Sequence, residues 1–239
     1  MAQGLATRFT FSPAYDDFGT WSPDGKSIAY RSSSKGVFDL YRKAADGTGG
    51  EESLYADGAT RVPTGWSPDG RLLLFYRIDA KTEWDIWVLP LDNPSKPYPW
   101  LATPFNERFA KFSPDGHWVA YESDESGRYE IYAAPFPGPG GKRQISAGGG
   151  EYPRWRADGK EIFYAAPNGK LMAAEVSIKD TTIEVGAVSP LAVPVNLNLL
   201  YPYDVSADGQ RFLVAAPVEQ KSPAPLTLVQ NWTALLKKK

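Results

Sequence analysis

The chain has 239 residues, 42% of them hydrophobic, enough to bury a substantial core and too many for a disordered chain. Lys plus Arg number 26 against 28 acids, and this net charge of −2 lacks the basic excess that nucleic acids and anionic membranes attract. With no cysteine and a single histidine, His117, neither a disulfide frame nor a thiolate or histidine-rich metal site can be built, so no metal and no cofactor is expected.

In chain order, residues 5–11 read first as a β segment. Residues 1–11 have neither the basic start nor the apolar stretch of a signal peptide, and no run approaches the roughly 20 apolar residues that cross a bilayer, so membrane insertion is not expected. One turn then recurs five times: Trp21-Ser22-Pro23-Asp24-Gly25, Trp66-Ser67-Pro68-Asp69-Gly70, Phe112-Ser113-Pro114-Asp115-Gly116, Trp155-Arg156-Ala157-Asp158-Gly159 and Val205-Ser206-Ala207-Asp208-Gly209. The aspartates are 45, 46, 43 and 50 residues apart, a period that suits the blades of a propeller. In such a turn Pro presets φ, Asp suits the next position and Gly takes the positive φ that closes it.

A strand must therefore end at each anchor aromatic and another begin after each Gly, over residues 26–30, 71–76, 117–121, 160–164 and 210–214. A third follows at 38–41, 84–88, 129–132 and, more weakly, 171–172. Looser fourth strands carry Leu54-Tyr55, Trp100-Leu101 and Gln144-Ile145. Gly19, Gly65 and Ala110, just before the anchors, are small enough for strands crowded around an axis. The expected fold is all-β, a single domain over residues 1–239 that forms a five-bladed β-propeller of four-stranded antiparallel blades. An open row of hairpins or a sandwich has no need of one identical turn per period. The fifth repeat lacks an outer strand, and residues 5–11 are expected to supply it by pairing with residues 226–232. That pairing closes the ring and leaves a monomer without an open edge.

The aromatic-Ser-Pro-Asp-Gly turn, followed by a strand such as Ile28-Ala29-Tyr30 and another such as Asp39-Leu40-Tyr41, resembles the TolB-like propeller repeat. The match is closest over 21–41, 66–88 and 112–132 and extends, degraded, over nearly the whole chain. The run Gly148-Gly149-Gly150-Glu151-Tyr152-Pro153-Arg154-Trp155, and the ending from Tyr203 to Leu213 and through Asn231-Trp232-Thr233, resemble the C-terminal propeller of bacterial, notably acidobacterial, membrane-linked serine/threonine kinases. The resemblance implies a sensing or docking module on the extracytoplasmic side of a larger protein. Those relatives often carry a further repeat upstream, so a larger ring, of which this chain is a part, stands as the alternative to five closed blades.

Kinase chemistry is absent from this chain. Asp17-Phe18-Gly19 has the letters of a kinase metal-binding motif, but no Gly-rich phosphate loop and no His-Arg-Asp loop accompanies it. Gly138-Pro139-Gly140-Gly141-Lys142 lacks the spacing of a phosphate loop and reads as a surface connection. His117 occupies the place of Lys26, Arg71, Lys160 and Gln210 and reads as an exposed strand start. No catalytic residue is assigned. Asp16, Asp17, Glu107 and Glu151, with Arg61, Arg108, Tyr152, Tyr201 and Tyr203, stand near the starts of the innermost strands and are expected to converge at one axial mouth. Such a ring suits a protein, peptide or glycan ligand. The alternative is a carbohydrate-active enzyme that uses a carboxylate pair in that mouth. Asp39, Asp85 and Glu130 recur at one phase of the repeat, which argues for a structural hydrogen-bonding role.

Overall fold

The computed structural model describes residues 8–79, 82–138, 140–179 and 181–215, which contain strands and no helix. The first antiparallel sheet is β1 (Asp16–Trp21), β2 (Ser27–Ser32), β3 (Asp39–Ala44) and β4 (Glu52–Tyr55). The second is β5 (Arg61–Trp66), β6 (Leu72–Asp79), β7 (Glu83–Pro90) and β8 (Tyr98–Leu101), and the third is β9 (Glu107–Phe112), β10 (Trp118–Ser123), β11 (Glu130–Pro135) and β12 (Arg143–Gln144). A fourth comprises β13 (Glu151–Trp155), β14 (Glu161–Ala165), β15 (Lys170–Lys179) and β16 (Thr182–Pro194). The last sheet has two strands, β17 (Tyr203–Val205) and β18 (Phe212–Val214). Each sheet is a meander in sequence order, and among the described residues no hydrogen-bonded strand pair joins one sheet to the next.

The repeated turn owes its shape to a fixed set of hydrogen bonds. In the first copy Asp24 Oδ1 accepts from the Ser22 hydroxyl at 2.6 Å and from the Lys26 amide at 3.0 Å, while Ser22 Oγ accepts from the Ser27 amide at 2.9 Å. The same three bonds recur around Ser67 and Asp69, Ser113 and Asp115, and Ser206 and Asp208. In the fourth copy Arg156 replaces the serine and clamps Asp158 through its guanidinium. Each turn closes on a glycine at φ between 69° and 75°, a region closed to most side chains. Successive turns also overlap: a Cβ built on Gly70, Gly116 or Gly159 would meet the Cδ of Pro23, Pro68 or Pro114 in the preceding turn at 3.9, 3.4 and 3.9 Å. Between the fourth and fifth turns, where alanine stands in place of proline, the Ala157 amide donates to the Ala207 carbonyl at 3.3 Å.

Burial of apolar surface between neighbouring sheets supplies the main cohesion. Leu40 and Leu54 pack on Leu73, Phe75 and Leu89, and Leu74, Ile86 and Trp100 pack on Ala110, Val119 and Tyr121. Trp118, Ile131 and Ile145 pack in turn on Trp155, Ile162 and Tyr164. The anchor indoles add polar fastening, Trp66 Nε1 donating to the Thr20 carbonyl at 3.1 Å and Trp155 Nε1 to the Lys111 carbonyl at 3.2 Å. Gly65 is small for a reason, because a Cβ there would come within 3.3 Å of both the Ala110 carbonyl and Lys111 Cδ.

Two features depart from the sequence expectations, and one expectation falls outside the described residues. Residues 8–11 form no strand; the Phe9 carbonyl instead accepts from Lys43 Nζ at 2.9 Å and the Phe9 ring packs edge-on against Tyr30. Residues 5–7 and 226–232, which complete the expected closing pair, lie outside the described residues. The hairpin of β15 and β16 extends far beyond Leu171 and Met172, with 10 and 13 residues in its strands.

Candidate functional site

The innermost strands β1, β5, β9 and β13 stand side by side, and each carries a register irregularity against its partner strand. At that bulge Phe18, Phe109 and Tyr152 take positive φ, of 54°, 52° and 59°. Such a kink turns their rings inward instead of alternating them across the sheet. Together with Tyr201, Tyr203, Val62 and Tyr76 they form a plug at the centre of the molecule. Phe109 lies 4.7 Å from Tyr152 and 5.7 Å from Tyr201, ring centre to ring centre, and Phe18 lies 5.2 Å from Tyr201. Tyr203 donates its hydroxyl to the Tyr152 carbonyl at 2.6 Å, and Tyr201 donates to the Pro63 carbonyl at 3.3 Å. Burial pushes both phenols far up. The plug divides the axis into a mouth, formed by the starts of the inner strands, and an opposite end beside the shared turns.

The structure brings part of the expected set together at the mouth. Asp17 forms a two-pronged ion pair with Arg31, which also lies over the Phe18 ring at 4.3 Å. Arg108 bridges two acids, donating from Nε to Glu122 at 2.5 Å and from Nη2 to Glu151 at 3.2 Å, and its guanidinium covers Trp84 and Tyr129 at 4.6 and 4.0 Å. Glu122 is fully buried; burial pushes its carboxyl up to about 8 against the pull of Arg108 and the Tyr152 amide. Tyr76 stacks on Trp84 at 5.8 Å and meets the Phe109 ring edge-on at 5.7 Å.

Two expected mouth residues lie elsewhere. Arg61 has no exposed surface, because its side chain runs between the first and second sheets, where it donates to Asp39 at 2.7 Å and pairs with Asp57. Glu107, 1% exposed, turns into the equivalent place between the second and third sheets and accepts from the Thr103 hydroxyl. Burial raises its carboxyl to about 7, with Asp85 adding to the effect, and among the described residues neither Glu107 Oε2 nor Asp85 Oδ1 accepts a hydrogen bond. Asp16 is half-buried, and neither of its carboxylate oxygens has a hydrogen-bond donor among the described residues.

The acids at fixed phase serve as hydrogen-bond acceptors within the scaffold. Asp39 takes Arg61, Asp85 takes the Thr82 hydroxyl at 2.5 Å, and Glu130 takes the Ser146 hydroxyl and the amides of Gly148 and Gly149 at 2.9 and 2.7 Å. His117 is exposed, and Phe18 of the kinase-like tripeptide belongs to the plug. Arg31 and Glu122 were not singled out in the sequence. Both follow the tyrosine of the second strand in their repeats, in Tyr30-Arg31 and Tyr121-Glu122, directly opposite Asp17 and Arg108.

No protein-family model and no curated protein matches the sequence. Solved structures do match. TolB from Acinetobacter baumannii is similar over 85% of this chain and 49% of its own, with a TM-score of 0.64 and 21% identity. The chain is a TolB-like β-propeller in fold. A protein assigned as TolB in Agrobacterium tumefaciens is similar over 71% of this chain and 64% of its own, at a TM-score of 0.60 and 18% identity. A puromycin-hydrolyzing peptidase from Mycobacterium tuberculosis is similar over 74% of this propeller and 31% of its own length, at a TM-score of 0.54 and 16% identity. The TolB-like chain thus spans less than two thirds of the length of either TolB structure.

Proposed function

We propose that this propeller is a non-catalytic recognition module that binds a protein, peptide or glycan at its axial mouth, as the sensing or docking part of a larger extracytoplasmic bacterial protein. One observation carries the reading: the mouth acids Asp17 and Glu151 are both held by arginines, in front of a plug of packed aromatic rings. Carboxylates fixed in this way present hydrogen-bond acceptors in a set geometry. Glu107, an expected mouth acid that burial raises to about 7, lies between sheets and offers no exposed carboxyl to a glycosidic oxygen, so the glycosidase alternative gains no support. The rings of Trp84 and Tyr129, already carrying the Arg108 guanidinium, suit stacking against a sugar face or a peptide side chain.

The test is a peptide and glycan array on the folded chain, repeated with the double variant Asp17→Ala, Glu151→Ala. A ligand that binds at the mouth loses about tenfold or more in affinity with the double variant. Hits that ignore it place recognition elsewhere. Closure as a five-bladed monomer belongs to the same proposal, and sedimentation of the full chain as an oligomer would refute it.

A further inference from the structure

On the turn side of the plug, away from the mouth, a cavity of about 570 Å³ opens between the first and fifth sheets. Lys111 and Arg154 line it from neighbouring sheets, each at the residue just before the anchor aromatic. The equivalent residues in the other inner strands are Thr20, Gly65 and Asp204. Lys111 reaches this place because Gly65 has no side chain to obstruct its stem. Its ammonium donates to the Thr64 carbonyl, which engages one of three N–H bonds. Arg154, 9% exposed, donates from Nη1 to the Pro153 carbonyl at 2.9 Å and from Nε to Asp204 at 3.3 Å. Its Nη2 makes no hydrogen bond among the described residues. Two cations therefore face one carboxylate, with unused donors on both, in a recess that also contains large exposed apolar groups: Trp21 is 61% exposed and Leu213 78%.

We propose that this recess binds a monoanionic carboxylate with an apolar body, the carboxylate received by Lys111 Nζ and Arg154 Nη2 and the body resting on Trp21 and Leu213. The charge balance selects the class. Lys111 and Arg154 against Asp204 leave one positive charge, which a carboxylate neutralises, whereas a phosphate dianion would place a second negative charge beside Asp204. A guanidinium N–H next to an ammonium is a charged donor pair suited to a carboxylate. Burial, and then the nearby Arg154, hold the Lys111 ammonium well below its ordinary 10.5, with Asp204 opposing. The other titratable groups lining the recess are the phenols of Tyr201 and Tyr203; the first sheet brings only uncharged residues to it, Gly19, Thr20 and Trp21. An arriving carboxylate favours protonated Lys111, so binding weakens as pH rises through the titration of this lysine.

The test is calorimetric titration of the full chain with 3-phenylpropionate, its uncharged amide, inorganic phosphate, and a short peptide ending in phenylalanine with a free or an amidated terminus. The acid should bind at least about tenfold more tightly than the amide and than phosphate, and Lys111→Met and Arg154→Gln should each weaken it by a similar factor. If the free-acid peptide surpasses 3-phenylpropionate, the natural ligand is a chain terminus; if only the small acid binds, it is a free organic acid. Both outcomes support a carboxylate site. Equal affinity for acid and amide in the native protein, a comparison that needs no variant to fold, overturns it. So does acid binding that Lys111→Met leaves unchanged.

Discussion

Glu107 stands where Arg61 stands one sheet earlier, so an acid faces Asp85 at a junction where the preceding pair of sheets has an arginine facing Asp39. Burial beside Asp85 raises the Glu107 carboxyl from 4.5 to about 7. A raised folded-state value stabilises the fold fully below the unfolded value, and that stability disappears as pH rises from 4.5 through 7. At about 1.4 kcal/mol per pH unit, the interval sets an upper bound of about 3 kcal/mol. Glu107→Gln keeps the shape and removes the charge. Urea denaturation of both proteins at pH 4.5 and pH 8 should therefore show the variant gaining on the native protein by up to about 3 kcal/mol at the higher pH. Glu122 is raised in the same range but is present in both proteins, so its effect cancels in the comparison. A stability gap identical at the two pH values would refute a buried carboxyl that resists ionisation.

Arg61→Met leaves Asp39 buried and unpaired and should cost about 3–5 kcal/mol by chemical denaturation, much of it recovered in the double variant with Asp39→Leu. Asp69→Ala deletes the bonds to the Ser67 hydroxyl and the Arg71 amide and should cost about 1–2 kcal/mol in the same assay. Gly65→Val drives side-chain atoms against the Ala110 carbonyl and the Lys111 stem, with an expected loss of about 1–3 kcal/mol. The turn carboxylates of Asp24, Asp69 and Asp208 are held below 3.8 by their serine hydroxyls and then by the following amides, and Asp158 is brought to about 2 by Arg156. Their contribution is present above pH 3.8 and fades as pH falls through the lowered values, so replacing Asp158 with Asn should flatten the acid limb of a stability–pH curve.

The sheets were legible because the signal that sets them is local. Ser, Asp and Gly within four residues bond one another, whatever the rest of the chain does, so each copy of the turn marks the end of one strand and the start of the next. The structural role of Asp39, Asp85 and Glu130 was legible for a related reason, since a function seldom needs the same acid at every period. The mouth was less so. Arg61 and Glu107 precede bulges, and a bulge changes the face to which a side chain points, something that alternation along a strand cannot report. Comparison at equal phase would have exposed Glu122, where an acid replaces the arginines Arg31 and Arg77 opposite a charged inner-strand residue. The 13 residues of β16 mix Pro, Gly, Ala and Val with mostly solvent-facing positions, so no period of two marks them as a strand.

The fourth turn has alanine where the first three have proline, and its amide reaches across to the fifth. Proline has no N–H to give. What looks like erosion of the motif is an exchange of one fastening for another, ring-on-glycine packing given up for a main-chain bond. Consensus-guided repair that restores proline at position 157 would delete that bond and weaken the end of the array it was meant to reinforce.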